Sequence, residues 1–222
     1  MSDRMGDPAA DPTGWFEPLY AAAARGEGEV PWDGNAPAAN LVAWTSARDL
    51  VGGGRRALVV GCGLGDDAEH VAGLGFATTA FDISPTAIRL ARERFPDSAV
   101  AYVVADLLDA PGDWAQAFDF VVESITVQAL HASVRPRAIA AISETVAPGG
   151  TLLVLSAARE PSERADGPPW PLTRAEIESF ASGAVEIVEI EDLRAAGDPW
   201  GRRWRAEFTR PMQARRRRSS AT

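Results

Sequence analysis

The chain predicts an α/β fold, a doubly wound, seven-stranded mixed sheet with an antiparallel hairpin at its carboxyl end. Three observations carry this. Short apolar blocks alternate with helical stretches through the middle of the chain, a glycine-rich turn follows the first block, and two extended runs near the end are joined by a loop alone.

The length of 222 residues suits one α/β domain with a modest appendage. Hydrophobic residues at 46% and charged residues at 24% give an ordinary globular balance and exclude a low-complexity or fibrous chain. The net charge of −9 argues against nucleic acid or an anionic membrane as partner. All 22 basic residues are arginine, which reads as codon composition and not as a binding device. The single cysteine, Cys62, cannot form an internal disulfide, and no zinc spacing exists, so no metal is expected. No stretch approaches the roughly 18 apolar residues of a membrane helix, and the first residues lack an apolar signal core, so a cytoplasmic protein is the expectation.

Residues 1–14 are polar and rich in Pro, Gly and Asp and read as a disordered tail. Residues 15–50 carry helical stretches broken at Gly26-Glu27-Gly28 and Val30-Pro31-Trp32-Asp33-Gly34, and are expected to fold over the ligand as a lid. Buried strands are expected at Ala57–Val60, Ala77–Phe81, Val100–Val104, Phe118–Val122 and Thr151–Leu155, with helical stretches between them. Ser84-Pro85 supplies an N-cap and a proline at the first helical position. Arg135–Val146 places Ile139, Ile142 and Val146 on one stripe and stops at Pro148-Gly149-Gly150. Thr173-Arg174-Ala175-Glu176 has the form of a capping box. Ala184–Leu193 and Arg203–Arg210 have no crossover helix between them and must pair antiparallel. The domain is expected to end near residue 211, with 212–222 a disordered basic tail.

The run Val59-Val60-Gly61-Cys62-Gly63-Leu64-Gly65-Asp66-Asp67 is a strand entering a glycine turn and a helix, the Rossmann-like arrangement that lets ligand and backbone approach closely. Asp82 closes the next strand 21 residues after Gly61, where an acid can hold ribose hydroxyls. Two cofactor classes compete, with a purely structural turn as the third possibility. A dinucleotide would lay its pyrophosphate on the helix start, where Asp66 and Asp67 repel it. S-adenosylmethionine carries no phosphate and a cationic sulfonium, and fits better. Asp106 ends the third strand, placed to accept from an adenine amino group between Ile83 and Leu107, or else to cap a helix.

Taken together, the Gly61-Cys62-Gly63 loop, Asp82, Asp106, Phe118–Glu123 and Ala147-Pro148-Gly149-Gly150 resemble the class I methyltransferase fold over about residues 55–157. Pro31-Trp32-Asp33, Gly167-Pro168-Pro169-Trp170 and Trp200-Gly201-Arg202-Arg203-Trp204 resemble its thiopurine, thiol and halide branch. In that branch the tryptophan-aspartate motif packs on the cofactor, which implies a cofactor contact for Trp32. Some members carry an aromatic pair after the fourth strand, whereas this chain reads Glu123-Ser124-Ile125-Thr126-Val127-Gln128. The departure points from a halide or hydrosulfide towards a larger organic acceptor.

The resemblance implies methyl transfer to a small molecule, sulfur being the first-guess acceptor and oxygen or nitrogen of a specialised metabolite the alternative. A non-catalytic protein that keeps the cofactor fold is a further reading. Glu123, at the end of the fourth strand, is expected to meet the cofactor. His131 follows that strand and is either a general base in the pocket or a surface residue. Ser124 and Gln128 are placed to bond the acceptor or to cap a loop, while Trp15, Tyr20 and Trp170 are aromatic candidates for covering it. Arg202-Arg203 reads as a site for an acidic acceptor group or as solvated charge. The expected partner is a small-molecule acceptor, without nucleic acid or membrane, for a monomer or homodimer.

Overall fold

The computed structural model describes residues 11–165, 167–181, 183, 185–194 and 201–212. Most of both expected tails, and Trp200, lie outside the described residues. The seven strands are β1 (Arg56–Val60), β2 (Ala77–Asp82), β3 (Ala101–Val104), β4 (Phe118–Ser124), β5 (Val146–Ala157), β6 (Glu186–Arg194) and β7 (Arg202–Thr209). Their order is β3-β2-β1-β4-β5-β7-β6. Strands β1 to β5 run parallel, and β7 pairs antiparallel with both β5 and β6, as the missing crossover required. The order reverses between β1 and β4, so their carboxyl ends open the crevice in which doubly wound sheets bind ligands.

Helices cover both faces. On one, α2 (Ala39–Ala47), α3 (Asp66–Gly73) and α4 (Pro85–Arg94) bury Leu41, Trp44, Val71, Ile88 and Ala91 against Val59, Phe120 and Leu153. On the other, α6 (Arg135–Thr145) and α7 (Arg174–Glu178) bury Ile139, Ile142 and Ile177 near Leu58, Val121 and Leu152. Alternate residues along each strand therefore serve opposite layers, which is why the strands read as continuous apolar blocks. Helix α1 (Phe16–Ala24) lies across the end of the sheet, and the short α5 (Thr126–Ala129) follows β4.

Local signals hold where chemistry is local. Ser84 accepts from Ala87 N at 3.0 Å with Pro85 opening α4, and the Thr173–Glu176 capping box is closed in both directions. Three features differ from the expectation. Two 3-10 turns, Leu107–Asp109 and Gly112–Trp114, link β3 to β4 without an α-helix, because Pro111 cannot continue one and Trp114 turns inward to pack on Phe81. Pro148-Gly149-Gly150 lies inside β5 as an irregularity in its pairing with β4. The segment 15–50 divides, since α1 covers the crevice whereas α2 belongs to the packed layer. Among the described residues, no helix is long and apolar enough to cross a membrane, and no cluster of His, Cys, Asp and Glu could hold a metal ion.

Candidate cofactor and acceptor site

The crevice begins where β1 ends. Gly61 has φ +57°, and a Cβ there would strike the Thr126 side chain, whose Oγ1 donates to Val60 O at 3.0 Å. A side chain at this position would dislodge the β1–α5 corner. Gly63 has φ +52°, its N–H donates to Asp82 Oδ2 at 3.0 Å, and a Cβ would come within 2.9 Å of the Tyr20 hydroxyl. The second Asp82 oxygen accepts from Ser84 N at 2.9 Å. Burial lifts the Asp82 carboxyl above its usual range, despite backbone bonds from Ser84, Gly63 and Ile83 that lower it.

Two clefts flank this loop. The first holds about 70 Å³ and is lined by Asp82, Ile83, Asp106 and Leu107 beneath Phe16 and Tyr20, which close it down. Thr13, not anticipated from sequence, stands at its edge. Asp106 borders the cleft, and its Oδ1 accepts from Leu108 N at 2.8 Å, capping the turn Leu107–Asp109. Trp32 closes the roof. Its Nε1 donates to Tyr20 Oη at 3.0 Å, and its ring lies edge-on to Trp15, Phe16 and Tyr20 at 5.9, 6.5 and 6.2 Å. Burial and then the Asp82 charge push the Tyr20 phenol well above its usual range, so it remains neutral.

The acids that open α3 are not two open carboxylates. Asp66 pairs with Arg94 at 3.0 Å, and the same guanidinium holds Asp33 at 3.2 Å and Asn35 at 3.0 Å. Asp67 turns inward and accepts from Ala38 N at 2.7 Å. These contacts fasten the segments around Trp32 and before α2 to the glycine-loop helix. What disfavours a pyrophosphate is therefore the lining of the first cleft, in which no arginine takes part among the described residues. The acids Asp82 and Asp106 at the strand ends, aromatic faces that suit a cation and glycines that allow close approach fit S-adenosylmethionine.

The second cleft is larger, about 600 Å³, within the ~300–1,000 Å³ of small-molecule sites, and extends past Cys62, Gly63, Asp66 and Asp67 to Ser156 and Arg203. Trp32, Gly61, Ser124 and Ile125 line both clefts. Ile125 has φ +68°, a conformation uncommon for a β-branched residue, held by Ile125 N donating to Leu155 O at 2.9 Å. Nothing in the local sequence announces it.

Of the residues singled out from sequence, Trp32, Gly61, Cys62, Gly63, Asp82, Ile83, Asp106, Leu107, Tyr20 and Ser124 border the two clefts. Trp15 stacks behind Phe16 at 4.1 Å. The others stand apart. Glu123 is fully buried, with Oε1 accepting from Val127 N at 2.9 Å and Oε2 lacking a protein partner, and burial raises it to about 7. Gln128 is fully buried and accepts from Ala157 N at 2.6 Å, pinning α5 to β5. Trp170 donates its N–H to Gln128 O at 2.7 Å and meets His131 edge-on, while His131 Nδ1 bonds Ser133 Oγ at 2.9 Å. Neither Trp170 nor His131 borders either cleft.

Residues 57–150 match a family model for a methyltransferase domain. The chain is 29% identical over 170 residues to "Probable thiol methyltransferase 2" of Arabidopsis thaliana, covering 74% of each. It is 33% identical over 141 residues to "Ubiquinone biosynthesis O-methyltransferase" of Xanthomonas axonopodis pv. citri, spanning 57% of that protein and 59% of this one. Among solved structures, one described as "Conversion of a Disulfide Bond into a Thioacetal Group during Echinomycin Biosynthesis" superposes with a TM-score of 0.72 at 25% identity, covering 90% of this chain and 93% of that one. The N-methyltransferase NodS from Bradyrhizobium japonicum, in complex with S-adenosyl-L-homocysteine, gives 0.67 at 20% identity, covering 88% and 99%.

Proposed function

We propose that this chain is a class I S-adenosylmethionine-dependent methyltransferase and that it methylates the sulfur of a small organic thiol, a reading supported by the methyltransferase-domain match and the thiol methyltransferase relative. The adenosine half of the cofactor takes the first cleft and the acceptor takes the second. Asp82 holds the ribose hydroxyls, Asp106 accepts from the adenine amino group between Ile83 and Leu107, and Trp32 roofs the sulfonium. When bound, the cofactor supplies a methyl group on a cationic sulfur.

One observation carries the choice of sulfur. The residues common to both clefts are Trp32, Gly61, Ser124 and Ile125, and none has a side chain that titrates near neutrality. An acceptor at that junction must supply most of its own nucleophilicity. A thiol with a pKa near ~8.5 already holds a small thiolate fraction at pH 7, whereas a hydroxyl needs a strong base beside it. His131, the base considered from sequence, does not border the junction. The chain's contribution is then alignment and exclusion of water, and alignment alone accounts for about 7–11 kcal/mol in well-oriented reactions. The volume of the second cleft, about 600 Å³, favours an organic acceptor over hydrosulfide or halide. The names of the Arabidopsis relative and the echinomycin structure, both concerned with sulfur, support the same reading.

A labelled-methyl assay over a panel of thiols, phenols and amines tests it, with S-adenosylhomocysteine calorimetry as the control for cofactor binding. Turnover is expected to be greatest with an organic thiol. Transfer to phenols or amines with no transfer to any thiol overturns the sulfur assignment.

A further inference from the structure

Resting on the reading that Trp32 roofs the sulfonium, we propose that Arg94 is a positioning residue, setting Trp32 over the glycine loop so that the site tells the cationic cofactor from its neutral product. Trp32 sits in a tight turn closed by Asp33 N donating to Val30 O at 3.0 Å. Its indole Nε1 lies over Gly63, 3.7 Å from where a Cβ would stand, and donates to Tyr20 Oη at 3.0 Å. One hydrogen bond and edge-on neighbours do not fix a ring by themselves. Its placement depends on the backbone that carries it.

That backbone is held at the next residue. Asp33 Oδ1 accepts from Asn35 N at 3.0 Å and from Arg94 Nη1 at 3.2 Å. The other arm of the guanidinium, Nη2, donates to Asn35 Oδ1 and to Asp66 Oδ1, both at 3.0 Å. Asp66 opens α3 directly after the glycine loop, and Arg94 closes α4, 61 residues from Asp33. One planar fork therefore joins the residue beside Trp32 to the first residue of the helix that follows Gly65. Arg94 also cancels a repulsion, because Asp33 and Asp66 both border the second cleft. Burial raises the Asp66 carboxyl, Arg94 lowers it and the Asp33 charge raises it again. Without the guanidinium, two like charges would push the segment 31–38 away from the loop.

Three roles for Arg94 lead to three different outcomes when it is removed. If it acted only through its charge, losing a cation beside two acids would tighten the binding of the cationic cofactor. If it only supported the fold, S-adenosylmethionine and S-adenosylhomocysteine would weaken together. If it positions Trp32, S-adenosylmethionine alone weakens, because an aromatic ring attracts a sulfonium and not a neutral thioether.

Arg94→Met, which keeps an unbranched stem and removes the fork, tests this in calorimetry with both ligands. Affinity for S-adenosylmethionine is expected to fall about fivefold, within the reach of a partly desolvated cation–π contact, while that for S-adenosylhomocysteine stays within about twofold. Trp32→Leu should show the same selective loss, and the double variant should lose about as much as either alone. Arg94→Lys carries the test if Arg94→Met folds poorly. It keeps the charge but cannot hold three oxygens in one plane, so a loss of about threefold is expected for S-adenosylmethionine alone. Suppose that Trp32→Leu shows the selective loss. No change in Arg94→Met, equal losses for both ligands, or tighter binding of S-adenosylmethionine then overturns the proposal and leaves the cofactor reading standing. Wild-type affinity for S-adenosylmethionine in Trp32→Leu overturns the placement of the roof, and the proposal with it. A wild type that binds neither ligand overturns the cofactor reading on which both rest.

Discussion

Helices α1 and α2 are both nine residues long and both precede the sheet, yet they are held in different ways. Helix α2 is fixed by packing. Leu41 and Trp44 are buried, and Trp44 stacks on Phe120 of β4 at 5.6 Å and 6°. Helix α1 is packed as well, with Phe16 in the main core cluster and Tyr20 against Ala87 of α4, but it adds a carboxylate fastening that α2 lacks. Glu17 Oε2 accepts from Ser84 Oγ at 2.5 Å and Thr86 N at 3.1 Å, and Oε1 accepts from Thr86 Oγ1 at 2.6 Å, at the N-terminus of α4. Packing is lost all at once when the core opens, whereas a polar fastening can release by itself. The helix over the first cleft is the one with the releasable attachment.

The widest gap between the two should come from Trp44→Ala. Loss of a buried tryptophan is expected to cost about 3–5 kcal/mol in urea unfolding, while the folded fraction keeps its S-adenosylhomocysteine affinity. A loss below about 1 kcal/mol would erase the distinction between packed and fastened helices.

Glu123→Gln sharpens the comparison from within the packed region, where a buried carboxyl has a partner on Oε1 and, among the described residues, none on Oε2. Its folded value of about 7 lies above the unfolded 4.5, so the folded state binds the extra proton between those values. Wild-type stability therefore falls as pH rises from about 4.5 to about 7 and stays lower above that. The glutamine variant should lack this slope and be more stable at pH 8 by on the order of 3 kcal/mol, read as the difference between the two urea series. Parallel series would mean that Glu123 titrates normally.

Glu17→Gln should have the smallest effect on stability and act chiefly on the ligand. A global cost of about 1 kcal/mol or less is expected, with S-adenosylhomocysteine leaving several-fold faster in stopped flow. Burial raises the Glu17 carboxyl, but bonds from Ser84 and Thr86 and the charge of Arg89 outweigh it, so it lies below its usual range. Its stabilisation is present above the ordinary carboxylate value and lost as pH falls through the lowered one. The wild-type cover should accordingly loosen only in acid. Equal release rates in variant and wild type would remove α1 from the exit route.

Much of this architecture was legible because its signals are local. Apolar blocks such as Phe118–Val122, the Ser84-Pro85 start and the Thr173–Glu176 box each need a few adjacent residues, and the hairpin followed from an absent helix. The glycine loop, Asp82 and Asp106 were equally readable, since strand ends in this topology converge on one crevice. What escaped depends on distant partners. The turn of Asp67 towards Ala38, and the Arg94 clamp on Asp33 and Asp66, join residues about thirty or more positions apart or on separate elements. Ile125 adopts its left-handed corner because β5 and α5 hold it, with no glycine to mark the place. Glu123 is expected to meet the cofactor, and Gln128 to bond the acceptor or cap a loop, because position along the chain is legible and side-chain direction is not; both turn inward to hold backbone N–H groups.

Strand β6 ends the sheet, paired on one side to β7 alone, and its pairing is interrupted between Ile187 and Glu189. Along nine residues it carries Glu186, Glu189, Glu191 and Asp192. Glu191 and Asp192 are paired with Arg205 and Arg202 of β7, so the exposed Glu186 and Glu189 and the kinked ladder are what discourage strand addition and fibril growth. Despite the exposed Ile187 and Val188, concentrated solutions at neutral pH should resist edge-templated aggregation, and the protection should weaken as those carboxylates are neutralised in acid or screened by salt.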